Sequence, residues 1–317
     1  MGITVAFYVI WFDPAGPGAE PGVVAREAAR PTAPPNPPPP PRTAQSPPAA
    51  APAPRVAAAP VKPAEPPDAD TGTSVLSAAW QRHAVPAAEG QGRPAIAIVI
   101  DDMGVDRRRS AQVVALPGPL TLAWLPYAND VRAQATAARM AGHELLVHMP
   151  MEPSGVADPG PGAMLTGLPP EELRRRLEVG LSAIDDYVGI NNHMGSRFTE
   201  DREAMALVLE EVGRRGLLFL DSRTSGRSVG HALAREMRLP AAVRDVFIDH
   251  DMSPAAVRAS LGKLEQVARR QGFAIGIGHP HDVTIQALAE WLPGLEMRGF
   301  TRIPVSAVVQ VYRSDGT

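Results

Sequence analysis

The sequence predicts an α/β fold with a parallel sheet, and two observations support this class. From Pro94 onward, short apolar runs alternate with amphipathic segments, an order typical of successive βαβ units. Helix start and stop signals also fall between the runs, with Ser253-Pro254 before one amphipathic segment and Gly272 after it. Seven or eight such units that close on themselves would form a (β/α) barrel, and the alternative is an open doubly wound sheet.

The periodicity places the individual elements. Strands are expected over residues 95–100, 121–125, 144–148, 188–192, 217–220, 246–248 and 273–278, with a last strand over 301–309. Helices are expected over residues 130–140, 170–187, 201–215, 228–237, 254–271 and 283–291.

The chain divides into three parts by composition. Residues 14–67 hold 19 of the 35 prolines and show no apolar periodicity, so this stretch buries too little surface to offset its ordering entropy. We therefore expect a disordered Pro/Ala-rich linker over 14–93, followed by one α/β domain over 94–317.

The first 13 residues form an apolar N-terminal segment. Ile3 to Phe12 are nearly all apolar, but ten residues are too few to span a bilayer, which takes about 20. No Lys or Arg precedes the run, so the basic start of a signal peptide is missing. We interpret the segment as part of a truncated membrane anchor, and the alternative is a chance apolar start on a soluble protein.

Composition excludes several classes of function. From Pro94 onward the chain holds 24 Lys or Arg and 27 Asp or Glu, a mildly acidic balance that argues against nucleic acid as a partner. There is no cysteine, which excludes thiolate chemistry and Cys-ligated zinc. No glycine-rich phosphate loop follows a predicted strand, which argues against a nucleotide cofactor.

Polar residues cluster where six predicted strands end. Because the carboxyl ends of barrel strands converge on one face, such residues are candidates for catalysis. One cluster alone is weak evidence, since an acidic residue after a strand often caps a helix, and we expect this of the triplet at 249–251. The clusters are Asp101-Asp102, His148 with Glu152, Asn191-Asn192-His193, Asp221 to Thr224, Asp249-His250-Asp251 and His279-Pro280-His281.

Five motifs occur in an order that resembles the divergent polysaccharide deacetylase family. The resemblance covers Pro94 to about Tyr312, and it implies a distorted (β/α) barrel of about seven strands with a divalent metal site. The motifs are Ile98 to Gly104 (IVIDDMG), Gly142 to Pro153 (GHELLVHMPMEP), Asn191 to Ser196 (NNHMGS), Phe219 to Thr224 (FLDSRT) and Ile277 to Pro280 (IGHP).

The resemblance also implies the metal ligands. Asp102 would be the carboxylate ligand and His148 the first histidine. The family pattern places a second histidine four residues later, where this chain has Glu152. We take His193 as the third ligand and keep Glu152 in reserve. One carboxylate and two neutral imidazoles would leave open positions on a divalent ion, and we expect Zn²⁺ because it binds these ligands.

The same resemblance assigns three catalytic roles. Asp101 would be the general base, His279 the general acid and Asp221 the orienting carboxylate, although Asp249 is a second candidate to hold His279. The Arg-Pro motif of better-known metal-dependent deacetylases is absent, and Asn191 to His193 stand in its place.

These residues leave several functions open. The first is a metal-dependent hydrolase that removes N-acetyl groups from an envelope polysaccharide or peptidoglycan-type glycan. The alternative is a catalytically silent protein of the same fold that binds glycan or an envelope partner, and a weaker third is a hydrolase of another bond such as a phosphoester. With the apolar segment and the linker, the resemblance predicts membrane association on the periplasmic side of the bacterial envelope.

Overall fold

The computed structural model describes residues 78–87 and 92–314, with side chains to residue 310. The expected apolar segment at 1–13 and most of the expected linker at 14–93 lie outside the described residues. Within the described ranges, no helix is both long enough and apolar enough to cross a membrane.

One parallel sheet forms the centre of the fold, with strand order β6-β5-β4-β3-β2-β1-β8-β7 and β9 beside β1. All of its ladders are parallel. The strands are β1 (Ala95–Met103), β2 (Thr121–Trp124), β3 (Glu144–Met151), β4 (Gly189–Met194), β5 (Leu218–Asp221), β6 (Ala241–Val243), β7 (Val246–Phe247), β8 (Phe273–Gly278) and β9 (Thr301–Arg302).

A single chain segment joins the two edges of this sheet. β6 pairs with β5, whereas β7 pairs with β8, and only Arg244 and Asp245 separate β6 from β7. The segment therefore occupies one strand position, first against one edge and then against the other. The result is a distorted barrel with seven principal strand positions, which confirms the expected fold class.

The connecting segments supply nine helices in the described part of the chain. Six of them match the expected helices, and the caps at Asp201 and Ser253 accept hydrogen bonds from backbone N–H groups of α5 and α7. The helices are α1 (Ala79–Arg82), α2 (Arg107–Val114), α3 (Val131–Met140), α4 (Pro170–Leu181), α5 (Arg202–Arg214), α6 (Gly230–Glu236), α7 (Pro254–Gln271), α8 (Asp282–Trp291) and α9 (Val305–Ser314).

The expected strand over 301–309 was wrong for most of its length. Only Thr301–Arg302 pair with β1, and α9 begins at Val305 directly after Pro304. The apolar run that suggested a strand instead buries Val305, Val308 and Val309 against the inner core of the barrel. A short apolar run is compatible with either element, because periodicity alone does not separate a buried strand from a buried helix.

Alternation along β1 shows how the strands divide the core. Ile96, Ile98 and Ile100 belong to the cluster between the barrel and its helices. Ala97 and Val99 belong to the second cluster, which fills the barrel interior. Successive strand side chains point to opposite faces, so the sequence position of a residue decides which of the two cores it enters.

The amino-terminal end of the barrel is closed by α1 and α9. The indole of Trp80 is 2% exposed and belongs to the interior cluster. Beneath it, the buried carboxylate of Glu144 accepts hydrogen bonds from Thr121 Oγ1 (3.1 Å) and from the backbone N–H and hydroxyl of Ser306. Residues 78–87, which the composition assigned to the linker, are thus packed as part of the domain.

Replacement of Trp80 tests this boundary. Trp80→Ala is expected to lower the free energy of unfolding by about 3–5 kcal/mol, because it removes a large buried side chain. Denaturant unfolding of the full chain, followed by circular dichroism, measures the change. Gln81→Ala, at the neighbouring exposed position, is the control. Equal stability of Trp80→Ala and wild type would return residues 78–87 to the linker.

Candidate active site

Inward-facing rows of apolar side chains end in polar residues at the carboxyl end of the barrel. In each row the apolar residue belongs to the interior cluster, and the polar residue follows two positions later on the same face. The pairs are Val99 and Asp101 on β1, Leu146 and His148 on β3, Leu220 and Ser222 after β5, and Ile277 and His279 after β8.

A β-bulge brings Asp102 into the same cavity as Asp101. Consecutive residues of a regular strand point to opposite faces, but the register between β1 and β2 shifts between Ile100 and Met103, and Asp102 has φ 57°. Such a bulge re-aims a side chain. Met194 and Arg223, which also line the cavity, have φ 51°. Left-handed backbone at non-glycine residues is characteristic of functional sites.

Three ligand atoms converge on one point. Asp102 Oδ1 lies 3.2 Å from His148 Nε2 and 2.8 Å from His193 Nδ1, and the two histidine nitrogens are 3.3 Å apart. Two ligands of one tetrahedral zinc ion lie about 3.3–3.6 Å apart, given bonds of about 2.0–2.2 Å. Asp102 Oδ1 is buried, and the two histidine nitrogens are the groups that face it. A carboxylate and two imidazoles in this arrangement fit a divalent cation.

Glu152, the reserve ligand, does not join this group. Its Oε2 accepts hydrogen bonds from the backbone N–H and the hydroxyl of Thr166, both at 2.7 Å, and Oε1 lies 3.5 Å from Arg197 Nε. The carboxylate is therefore directed toward the loop after β3, and His193 approaches Asp102 instead.

Asn191 connects the candidate base to a candidate ligand. Its Nδ2 donates to Asp101 Oδ1 at 2.7 Å, and its Oδ1 lies 2.8 Å from His148 Nδ1. Because an amide oxygen can only accept, His148 carries a proton on Nδ1, and Nε2 is the nitrogen directed at Asp102. The sequence analysis gave Asn191 no separate role, although it lies two residues before His193 and hence on the same face of β4.

The two adjacent carboxyl groups differ in electrostatic environment. Burial raises the pKa of Asp101 above its ordinary value, although the charges of His148 and His279 oppose the shift. Burial also favours neutral Asp102, but hydrogen bonds and charges from His148 and His193 outweigh it and hold the pKa of Asp102 well below its usual range. Asp102 is thus kept anionic, whereas Asp101 is the more basic of the pair.

His279 forms a dyad with Asp249. Its Nδ1 lies 3.0 Å from Asp249 Oδ1, and its backbone N–H donates to Asp249 Oδ2 at 2.6 Å. Burial lowers the pKa of His279, but the hydrogen bond to Asp249 and the charges of Asp102, Asp249 and Asp101 outweigh it and raise the pKa to about 9. His279 is therefore an imidazolium at neutral pH.

Asp249 takes the position at His279 that was expected for Asp221. The carboxylate of Asp221 accepts from Arg223 N (2.8 Å), Ser228 Oγ (2.7 Å) and His231 N (3.2 Å). It lies on the outward face of β5 with Phe219, so strand alternation directs it away from the interior.

The expectation that the triplet at 249–251 caps α7 was wrong for Asp249. Ser253 is the capping residue, and its Oγ accepts from Ala256 N at 3.3 Å. Asp249 is buried and lies two residues after Phe247, which lines the cavity. Strand alternation therefore turns Asp221 away from the barrel interior and places Asp249 where it contacts His279.

These groups surround a cavity of about 480 Å³. Asp101, Asp102 and the two ligand histidines line one side of it, on β1, β3 and β4. Arg223, Arg244 and Phe247 line the side formed by β5, β6 and β7. The cavity is large enough for a sugar ring with its substituents, and both of its sides carry charged groups.

Comparison with known proteins identifies the family. Residues 98–309 match the family model described as divergent polysaccharide deacetylase. The chain is 34% identical over 200 residues to an uncharacterized protein of Haemophilus influenzae (63% of this chain, 71% of that protein) and to YibQ of Escherichia coli (63% of each). Its fold matches the crystal structure of ATU2773 from Agrobacterium tumefaciens with a TM-score of 0.72 and 32% identity, over 75% of this chain and 97% of that one. The chain belongs to the divergent polysaccharide deacetylase family.

Proposed function

We propose that this protein is a metal-dependent hydrolase that removes N-acetyl groups from a polysaccharide or oligosaccharide. The observation that carries the proposal is the convergence of Asp102, His148 and His193 beside Asp101, in a cavity that His279 also lines. Family membership supports a carbohydrate substrate.

The ligand set supports a catalytic rather than a structural metal. Three protein ligands leave open coordination positions, whereas structural zinc sites use four. A divalent ion such as Zn²⁺ held by these groups would act as a Lewis acid toward an acetamide carbonyl and a water molecule. Asn191 supports this role of His148, because its amide oxygen accepts from Nδ1 and leaves Nε2 as the nitrogen that would bind the metal.

Asp101 and His279 would divide the proton transfers. Asp101 accepts a proton as water adds to the acetamide carbon, and the hydrogen bond from Asn191 Nδ2 holds the carboxylate in place. His279 donates a proton to the nitrogen as the C–N bond breaks, which gives acetate and a free amine. Asp249 keeps His279 protonated and oriented until that step.

We propose that the substrate belongs to the cell envelope and that the protein acts on the periplasmic side in association with the inner membrane. The apolar run from Ile3 to Phe12 and the proline-rich segment after it support this location, because such a spacer holds a domain away from a surface. Separation of membrane and soluble fractions before and after osmotic shock tests it, and recovery of the full chain with cytoplasmic markers would contradict it.

A catalytically silent glycan-binding protein is the second candidate. The absence of the Arg-Pro motif favours this candidate. In this chain the neutral side chain of Asn191, and no arginine of such a motif, binds the candidate base Asp101. The two candidates differ in one measurable result, because only the hydrolase releases amine from an N-acetylated oligosaccharide.

Metal content tests the ligand set. We expect His148→Ala and His193→Ala to lose the ion, because two remaining ligands hold it weakly, whereas Glu152→Ala should retain it. Inductively coupled plasma mass spectrometry of the purified full chain gives the ratio of metal to protein. Retention by His193→Ala, together with loss by Glu152→Ala, would exchange the roles of these two residues.

Replacement of the candidate base tests the reaction. Asp101→Asn should keep the metal and lower the rate of amine release by about 10²- to 10⁴-fold, as is typical when a general base is lost. The assay measures free amine released from N-acetylglucosamine oligosaccharides by the metal-loaded full chain. If wild type binds these glycans without releasing amine, the silent binding protein is correct.

The pH dependence tests the His279–Asp249 dyad. With a pKa of about 9, protonated His279 is present below that pH, so the rate should fall as the pH rises through it. Asp249→Asn removes the anionic partner, lowers the pKa of His279 and should shift this basic limb to lower pH. Asp221→Asn is the matched control and should leave the limb in place. If Asp221→Asn shifts the basic limb of the pH–rate profile and Asp249→Asn does not, Asp221 is the carboxylate that orients His279.

A further inference from the structure

Two arginines lie in the cavity wall away from the candidate metal ligands. Arg223 directly follows Ser222 at the end of β5, and Arg244 lies in the short connection between β6 and β7. Neither residue takes part in the reaction proposed above.

Arg244 is held firmly without neutralisation of its charge. Its Nε donates to the carbonyl of Ser222 at 2.7 Å and its Nη2 to the carbonyl of Arg223 at 2.9 Å. The guanidinium carbon lies 5.0 Å from the ring centroid of Phe247. Among the residues that the structure describes, no carboxylate forms an ion pair with Arg244. Its position is therefore fixed by neutral hydrogen-bond partners, and its guanidinium group lines the cavity.

Arg223 is likewise unpaired, although acidic residues are near in the same loop region. Arg227, four residues later, forms an ion pair with Glu200 at 2.9 Å. Over the described ranges of the chain, Arg223 has no such partner, and its side chain is exposed at the cavity. The residue also keeps φ 51°, a conformation that a long side chain rarely adopts.

The two guanidinium groups are close enough to oppose each other. Burial and the charge of Arg223 both lower the pKa of Arg244, although the charges of Asp101, Asp221 and Asp245 oppose the shift. Like charges placed together in a half-buried wall are unfavourable until an anion binds between them. Guanidinium groups bind carboxylates and phosphates through paired hydrogen bonds.

We propose that Arg223 and Arg244 bind an anionic substituent, a carboxylate or a phosphate, so that the substrate is an acidic N-acetylated oligosaccharide. This inference rests on the proposed function and names its substrate class. The candidate metal ligands and the arginines line different parts of this cavity. An anionic group held by the arginines would therefore orient the sugar, with its acetamido group toward the candidate ligands.

An alternative role for Arg244 is to stabilise the charge of Asp101, which lines the same cavity. In that case, loss of the positive charge would affect neutral and acidic glycans equally. Arg223 separates the two roles better, because its side chain is exposed and its replacement removes no hydrogen bond within the protein.

Binding to the full chain carrying Asp101→Asn, loaded with zinc, measures the preference without turnover. Isothermal titration calorimetry compares three tetrasaccharides: one of N-acetylglucosamine alone, one that alternates N-acetylglucosamine with glucuronate, and one of N-acetylglucosamine with 6-phosphates. We expect at least one acidic probe to bind about 10-fold or more tightly than the neutral one. The acidic probe with the higher affinity identifies carboxylate or phosphate as the anionic group.

Further replacements assign this preference to the arginines. Arg223→Gln should weaken binding of the acidic probe by about 10- to 100-fold, the range expected for charge-assisted hydrogen bonds, and leave the neutral probe unchanged. Arg223→Lys should retain more of the affinity for the acidic probe than Arg223→Gln. Both variants place a non-glycine residue at the same left-handed backbone position, so the comparison isolates the effect of the charge. Arg227→Gln, in the same loop but paired with Glu200, is the control.

The outcomes separate this inference from the proposed function. If no acidic probe binds more tightly than the neutral one, or if Arg223→Gln weakens both equally, the anion site is wrong even where the wild type releases amine. Selective acidic binding that Arg223→Gln removes, without amine release by the wild type from any of the three probes, would reject the hydrolase and keep the anion site.

Discussion

The buried amide of Asn191 holds two essential parts of the site at once. Its nitrogen donates to Asp101 and its oxygen accepts from His148, so the orientation of the amide is fixed by a donor requirement on one side and an acceptor requirement on the other. A side chain with only donors, such as arginine, could bind the carboxylate but could not accept from His148 Nδ1. The segment from Asn191 to His193 therefore does more than hold the candidate base. Asn191 in this segment supplies the hydrogen-bond acceptor for His148 Nδ1. Two residues later, the same segment supplies His193.

Separation of charge organises the rest of the cavity. Asp101 and Asp102 are adjacent carboxyl groups whose pKa values are shifted in opposite directions by their surroundings, and such divergence is characteristic of sites that transfer protons. His279 carries positive charge at neutral pH because Asp249 accompanies it. Arg223 and Arg244 add positive charge to the cavity wall, and among the described residues no carboxylate forms an ion pair with either. The site thus presents anionic and cationic surfaces to one ligand, and this polarity gives the ligand a direction.

The two ends of the barrel have different tasks. The carboxyl end holds a bulge and residues with left-handed backbone, features that cost folding free energy. The amino-terminal end is filled by Trp80 and by α9, and the Glu144 carboxylate there has hydrogen bonds from three groups. Burial and satisfied hydrogen bonds at that end offset the strain at the other. This is the division of stability and chemistry that (β/α) barrels show in general.

The sequence by itself determined the parallel fold, six of the helices and the approximate position of most strands, because these depend on local periodicity and capping. It also located the polar clusters at the strand ends. The resemblance selected Asp102 and His148, and the predicted strand order added His193; the structure brings all three together. Strict two-residue alternation within the strands would also have predicted which carboxylate accompanies His279. It separates Asp249, which faces the interior, from Asp221, which faces the helices.

Tertiary structure alone decided the remaining features. The register shift in β1 reverses the alternation at Asp102, and no sequence period records such a shift. Glu152 follows His148 by four residues, but the chain leaves the strand after Met151 and Thr166 binds the carboxylate. The apolar residues of α9 and the isolated Trp80 become core only because the open end of a barrel needs to be filled. In each case the deciding partner is distant in the chain, so its contribution exists only once the barrel has closed.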